Sequence, residues 1–275
     1  MSIMAESFTL DNWPQPAPIV HLPNGLSKED LLGFRAFNNW TYTLKNSLAK
    51  QKNSFHKFHE APYSVRSIEV QSFDRFGSRI LFMKLFATIK NENNEFLPGV
   101  VFLRGGSVAI LMILRPSDSP EERWVIMTEQ ARIAAGSLEF MEIPAGMLDD
   151  EKNFQGAAVK EIEEEVGIKL KVGDLTDMTA LAMKGHRVME GLHSAMYPSP
   201  GACDEFISIF LWERKMDRLE IERMKDRMTG NRAESEKITV RLMNYERLLE
   251  VGARDGKTLA AWSLYEYLKR TRLIE

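Results

Sequence analysis

The chain of 275 residues has a single cysteine, Cys203, so no disulfide can form within it. That fits a reducing compartment. Long apolar runs are missing too: the longest, such as Val108 to Leu114, fall far short of the roughly 20 residues that a transmembrane helix needs. No basic-then-apolar leader opens the chain, where Glu6 and Asp11 stand instead, so no secretory signal is expected and the default location is cytoplasmic. Charge of one sign is scarce. A formal net charge of −3 creates no global field for nucleic acid or an anionic membrane. Neither is expected as a partner, and an anionic substrate has to be captured by local groups or by a metal. There is no internal repeat and no low-complexity tract. What is present is 44 % hydrophobic and 27 % charged, a balance that builds a globular core. The length suits one core domain with a smaller one before it.

Along the chain, Pro14, Pro16, Pro18 and Pro23 fix φ and remove donors, which predicts an extended N-terminal arm. Ser27 can cap a helix starting at Lys28, and Trp40, Leu44 and Leu48 continue its apolar spacing. Val65–Val70 and Ile80–Ile89 read as strands about a turn near Asp74–Gly77. Residues 1–98 are thus expected to form an arm, a helix and a small β unit, and residues 99–275 the main domain. Within the latter, Val100–Leu103, Val108–Leu114, Trp124–Thr128 and Leu138–Ile143 read as strands. Phe154, Ala158, Ile162 and Val166 make one helical stripe, which Asp150 or Asn153 can cap and Gly167 can end. Phe206–Trp212 and Ile238–Leu242 are further strands, and Tyr245–Val251 and Leu259–Leu268 are closing helices. The charged stretch Glu213–Lys237 reads as a short helix and a loop.

The most informative run is Lys160-Glu161-Ile162-Glu163-Glu164-Glu165-Val166-Gly167-Ile168. Glu161, Glu164 and Glu165 stand at i, i+3 and i+4, so on a regular helix they project from one face beside the apolar stripe. Such carboxylates repel by a few tenths of a kcal/mol per pair. A hard divalent cation removes that cost, and Mg²⁺ in particular takes oxygen ligands and keeps room for phosphate oxygens. A solvated acidic face is the other reading of such a cluster taken alone.

The neighbours favour the metal. Gly146, Glu161, Ile162, Glu164, Glu165, Gly167 and Ile168 match, in register, a fixed-spacing pattern: a glycine, a glutamate, Arg-Glu, an aliphatic, Glu-Glu, a glycine and an aliphatic. This is the Nudix box, and the chain resembles the Nudix hydrolase family. Two positions depart from it. Lys152 stands where the early glutamate is usual, with Glu151 one place before, and Lys160 replaces the arginine, keeping charge but losing the planar fork. The flanks Thr128-Glu129-Gln130-Ala131-Arg132, Glu142-Ile143-Pro144-Ala145-Gly146 and Ser199-Pro200-Gly201-Ala202-Cys203-Asp204-Glu205 resemble the subgroup acting on nucleoside diphosphate sugars and ADP-ribose. They are most similar to plant-type ADP-sugar diphosphatases.

That resemblance implies an α+β Nudix fold, a mixed β-sheet sandwiched between helices, with a smaller N-terminal domain. It also implies a homodimer, a monomer being the alternative. The activity implied is Mg²⁺-dependent hydrolysis (Mn²⁺ as a substitute) of the pyrophosphate of a nucleotide sugar, giving a nucleoside monophosphate and a sugar phosphate. Glu161, Glu164, Glu165 and the Ala145 carbonyl are the implied metal ligands. Glu164 and Glu205 are the candidates for catalysis, Glu205 as general base or as an accessory metal ligand. Arg132 is the candidate pyrophosphate clamp, because a guanidinium binds phosphate oxygens in bidentate fashion, and Arg104 is a second substrate-binding candidate. A catalytically silent Nudix module is the alternative, but such a module has no need to keep mutually repelling carboxylates. His56 and His59 have metal-like spacing without a partner ligand nearby. His186 and His193 read as a solvent loop, and Cys203 shows no dyad partner.

Overall fold

The computed structural model describes residues 6–148, 154–185, 190–230 and 237–275. It divides into two compact units: Met1–Gly106 with Arg187–His193 and Ser199–Glu205, and Ser107–His186 with Ser194–Pro198 and Phe206–Glu275. No helix among the described residues is long and apolar enough to cross a membrane.

In the first unit β1 (Glu6–Thr9) pairs antiparallel with β2 (Ile19–Leu22), and β2 runs parallel to β3 (Ser64–Phe76). The proline-rich arm is therefore extended but also laddered into a sheet. Its prolines Pro14, Pro16 and Pro18 fall in the connection, so the flanking residues keep the N–H donors that the ladder needs. Helix α1 (Lys28–Gly33) begins at Ser27 with a reciprocal cap: the Ser27 hydroxyl accepts from the Asp30 N–H at 3.1 Å, and Asp30 accepts from the Ser27 N–H at 3.3 Å. The helical run expected to continue through residue 48 breaks at Phe34, which is extended, and resumes as α2 (Arg35–Ala49). β3 and β4 (Arg79–Lys90) form a long hairpin, turning at Gly77 with φ +61°. β5 (Phe96–Leu97) and β6 (Val100–Leu103) both pair with β4, so the run after Pro98-Gly99 adds to this first sheet. Met83, Leu85, Ala87 and Ile89 alternate inward from β4 and meet Val65, Ile68, Leu31 and Phe37 in one core.

The second unit is built on β7 (Ser107–Pro116), buried along almost its whole length. Val108, Ile110, Met112 and Leu114 face one core, while Ala109, Leu111 and Ile113 face another. A strand with both faces apolar requires a cover on each side. The first is supplied by α3 (Phe154–Glu161), through Ala157 and Ala158, and by the turn that follows it, through Ile162 and Val166. The second is supplied by α4 (Met178–Ala182), through Met178, and by α7 (Gly256–Arg270), through Ala261, Tyr265 and Leu268. The remaining elements are β8 (Trp124–Arg132), β9 (Ser137–Glu142), β10 (Ala145–Met147), β11 (Thr176–Asp177), β12 (Ile207–Met216), α5 (Arg218–Glu222), β13 (Met228–Thr229), β14 (Ile238–Asn244) and α6 (Leu248–Gly252). The sheet order is β11-β12-β7-β8-β14-β13, with β10 added to β7 and β9 to β8. β12 lies parallel to β7 and its other pairings are antiparallel, so the expected mixed sheet between helices is present. The proposed caps Asp150 and Asn153 lie outside the described residues, as do Glu151, Lys152 and His186.

Candidate active site

Three backbone devices bring the glutamate run to the β9–β10 connection. First, α3 does not stay a regular helix. Beyond Glu161 it widens into a π turn over Ile162–Val166, where the Gly167 N–H reaches back to the Ile162 carbonyl at 3.0 Å. Single π turns of this kind are frequent at functional sites. Second, Gly167 ends the turn in the left-handed region at φ +74°, the conformation that the sequence assigns to it. Third, β13 caps the end: the Thr229 hydroxyl donates to the Glu165 carbonyl and the Gly230 N–H to the Glu164 carbonyl.

The π turn alters the expected face. Glu161 and Glu165 are brought to Ala145 and Gly146 at the start of β10, whereas Glu164 is exposed and pairs with Lys160 at 4.0 Å. The i, i+3, i+4 spacing assumed regular α geometry, and the wider i→i+5 turn rotates Glu164 away from the other two. The Glu161 carboxylate lies flat against Gly146. A Cβ at Gly146 would stand 1.8 Å from the Glu161 Cδ, so any larger residue there would displace the Glu161 side chain.

Glu165 is only 5 % exposed. One carboxylate oxygen accepts the Ala145 N–H at 3.0 Å and the other accepts from the Gln130 side-chain amide at 3.4 Å. Burial and then the charge of Glu161 push its carboxyl up to about 8, with the Ala145 N–H pulling the other way. Two carboxylates are thus set against the start of β10. This donor set fits a hard divalent cation, which takes carboxylate and carbonyl oxygens. Ala145, Glu161 and Glu165 are the residues that would hold it.

Arg132 ends β8, and its Nε donates to Glu142 at 2.5 Å. Glu142 is almost wholly buried at the end of β9, and its second oxygen takes Lys257 at 2.7 Å. Lys257 also donates to Asp255 at 2.8 Å. Burial pulls the Lys257 ammonium down, but Glu142 and Asp255 outweigh it and hold it above the usual lysine range. The sequence marked Gln130 and Glu142 only as members of the flanking stretches and gave no sign of Lys257 or Asp255. The members of this support come from three distant segments, and an ion pair between Glu142 and Lys257 leaves no mark on either segment alone.

Arg104 and Glu205 belong to the first unit, where they form an ion pair at 3.4 Å. Asp204 fixes that loop by accepting the Arg104 N–H at 2.8 Å and the Gly105 N–H at 3.1 Å. Its own carboxyl is raised by burial against those N–H groups. Burial also pushes the Cys203 thiol up, which keeps it protonated and a poor nucleophile. The His56 ring accepts the Phe58 N–H and the His59 ring meets the Gln51 carbonyl, so both serve their own loop. His193 is lowered by burial and by Arg35.

The NUDIX domain family profile matches residues 103–263. Nudix hydrolase 14, chloroplastic, from Arabidopsis thaliana is 35 % identical over 280 residues, which is 99 % of this chain and 84 % of that protein. That name is a chloroplast one, so it lends the expected cytoplasmic location no support. A solved structure described as an ADP compounds hydrolase aligns with a TM-score of 0.49 at 15 % identity, covering 76 % of this chain and 95 % of that one. The profile spans more than half of the sequence and the relative nearly all of it, and the chain belongs to the Nudix family as a Nudix-type hydrolase.

Proposed function

We propose that the protein hydrolyses the pyrophosphate of a nucleoside diphosphate linked to a sugar, of the ADP-ribose or ADP-glucose kind, with Mg²⁺ as the resident ion and Mn²⁺ as a substitute. The observation that carries this reading is the buried Glu165 carboxylate beside Glu161 at the start of β10. The relative's name, a Nudix hydrolase, supports the hydrolase part of this reading.

In the reaction a water oxygen bonds to one phosphorus and the bridging P–O bond breaks. The products are a nucleoside monophosphate and a sugar phosphate. When bound, Mg²⁺ supplies charge neutralisation on the phosphate oxygens and lowers the pKa of the attacking water. Glu161, Glu165 and the Ala145 carbonyl would hold the ion, and Glu164, which is exposed, would be available to it. Arg132 binds phosphate oxygens through its guanidinium fork. Glu205, on the loop that resembles the family's later loop, accepts the proton of the water, and Arg104 contributes to substrate binding. The homodimer expected from the resemblance belongs to the same proposal.

The test is phosphate release coupled to a phosphatase, with Mg²⁺, across ADP-ribose, ADP-glucose, UDP-glucose, NADH and diadenosine polyphosphates. Metal-dependent turnover of a diphosphate sugar, lost in Glu165→Gln, is the expected result. A folded protein that cleaves none of these with Mg²⁺ or Mn²⁺ would refute the proposal. A strong preference for diadenosine polyphosphates would refute the sugar assignment alone.

A further inference from the structure

Arg132 is held by one end only. Its Nε is on Glu142, while Nη1 and Nη2 make no hydrogen bond among the described residues, and the side chain is 41 % exposed. Glu142 is 2 % exposed and has a cation on each oxygen, Arg132 on Oε1 and Lys257 on Oε2. A carboxylate buried so deeply is tolerable only when paired in this way. Lys257 is fixed in turn by Asp255. Asp255 uses its other oxygen to cap α7, accepting the Thr258 N–H at 3.0 Å and the Thr258 hydroxyl at 2.7 Å. The Thr258 oxygen then accepts the Ile143 N–H at 3.2 Å, next to Glu142 in the chain. The start of α7 therefore clamps both the Glu142 side chain and the backbone beside it.

A free carboxylate facing arginine prefers the fork-on-fork pairing, in which both of its oxygens engage the guanidinium. Lys257 prevents this by occupying Oε2. We infer that Lys257 is a positioning residue for phosphate recognition: by holding one oxygen of Glu142, it makes Glu142 grip Arg132 at Nε and leaves the Nη pair facing outward for a phosphate. The inference rests on the proposed role of Arg132 as the phosphate clamp.

The experiment compares the parent, Arg132→Ala, Lys257→Met, the double variant and Lys257→Arg. The readouts are KM and kcat for ADP-ribose with Mg²⁺, the calorimetric Kd for ADP-ribose with Ca²⁺, and thermal stability. Lys257→Met is expected to raise KM and Kd about tenfold and leave kcat within about twofold, because the phosphate contact that is lost is made equally in the ground and transition states. The double variant should bind no worse than Arg132→Ala alone, since both changes remove one function. Lys257→Arg, which keeps a cation on Glu142, should recover much of the affinity. If Lys257→Met fails to fold, Asp255→Asn takes its place with the same readouts and the same expected direction, because an asparagine can still cap α7 while the acceptor and charge that fix Lys257 are lost.

Additive effects in the double variant overturn the inference. So does a Lys257 variant with lower stability and unchanged KM, which marks a structural role only. If Arg132→Ala leaves KM and Kd unchanged, the clamp itself falls, and the inference with it. If Arg132→Ala weakens binding and Lys257→Met does not, the clamp stands and only the inference falls. A parent that neither binds nor cleaves ADP-ribose or ADP-glucose overturns both.

Discussion

Glu165 sets a cost in the protein without its metal. A buried carboxyl held near 8, against an ordinary value of 4.5, binds its proton more tightly in the folded chain than in the unfolded one. Its contribution is therefore favourable at low pH, declines as pH rises above about 4.5, and is fully lost above about 8. In EDTA, Glu165→Gln removes this term, since a glutamine can still accept the Ala145 N–H. We expect the variant to be the more stable of the two at about pH 8.5, by on the order of a few kcal/mol, and nearly matched at about pH 5. Thermal melts at both pH values check this, and parallel pH slopes would refute it. Gly146→Ala tests the other half of the cluster. The added methyl meets the end of the Glu161 side chain rather than backbone, so the fold should survive with a Tm close to the parent's. Glu161 must leave its place, however, and turnover should fall at least about tenfold. A Gly146→Ala protein with parental turnover would show that the Glu161 position does not matter. At this scale the sequence was informative where spacing is local: Gly146, Glu161 and Glu165 stand together as the box register implies. It was silent on Lys257, which lies 115 residues from Glu142.

The elements show where local reading ends. β7 and β12 were visible as apolar, β-branched runs because burial on both faces removes polar alternation. The Ser27 cap and the Gly167 stop were visible because each depends on one residue's chemistry. The parallel pairing of β2 with β3 was not, since register between distant strands is decided by packing. The π turn was not visible either, because i→i+5 bonding has no residue signature, and its consequence was the displaced Glu164. The turn depends on its ending. Gly167 sits at φ +74° with the Arg227 guanidinium 3.1 Å from where a Cβ would be. Gly167→Ala should cost about 1–2 kcal/mol from the left-handed backbone alone. It should also lower metal affinity, because Glu165 lies in the turn that Gly167 closes. Chemical denaturation and a Mn²⁺ titration measure the two effects. A stable variant with parental Mn²⁺ affinity would show that the turn does not need its glycine.

At the scale of the molecule, the boundary between units is crossed repeatedly. Arg187–His193 and Ser199–Glu205 belong with the first unit although their neighbours in sequence build the second. The consequence is physical. Asp204 is largely buried and its carboxylate is satisfied by the N–H groups of Arg104 and Gly105. A fragment starting at Ser107 would keep Asp204 and lose both donors, so the Ser199–Glu205 loop would lose the charge-assisted bonds that fix it, each worth about 1.5–3 kcal/mol. It would also free the Cys203 segment from its bridge to Phe102. Since a domain of this size is stable by only about 5–15 kcal/mol, such losses are a large share of the total. The fragment is expected to be insoluble or inactive although it contains Glu161, Glu165, Arg132 and Lys257. Circular dichroism, thermal melting and ADP-ribose turnover of the fragment decide it: a cooperative melt with parental kcat would mean that the second unit stands alone and that Arg104, Asp204 and Glu205 are dispensable for the chemistry.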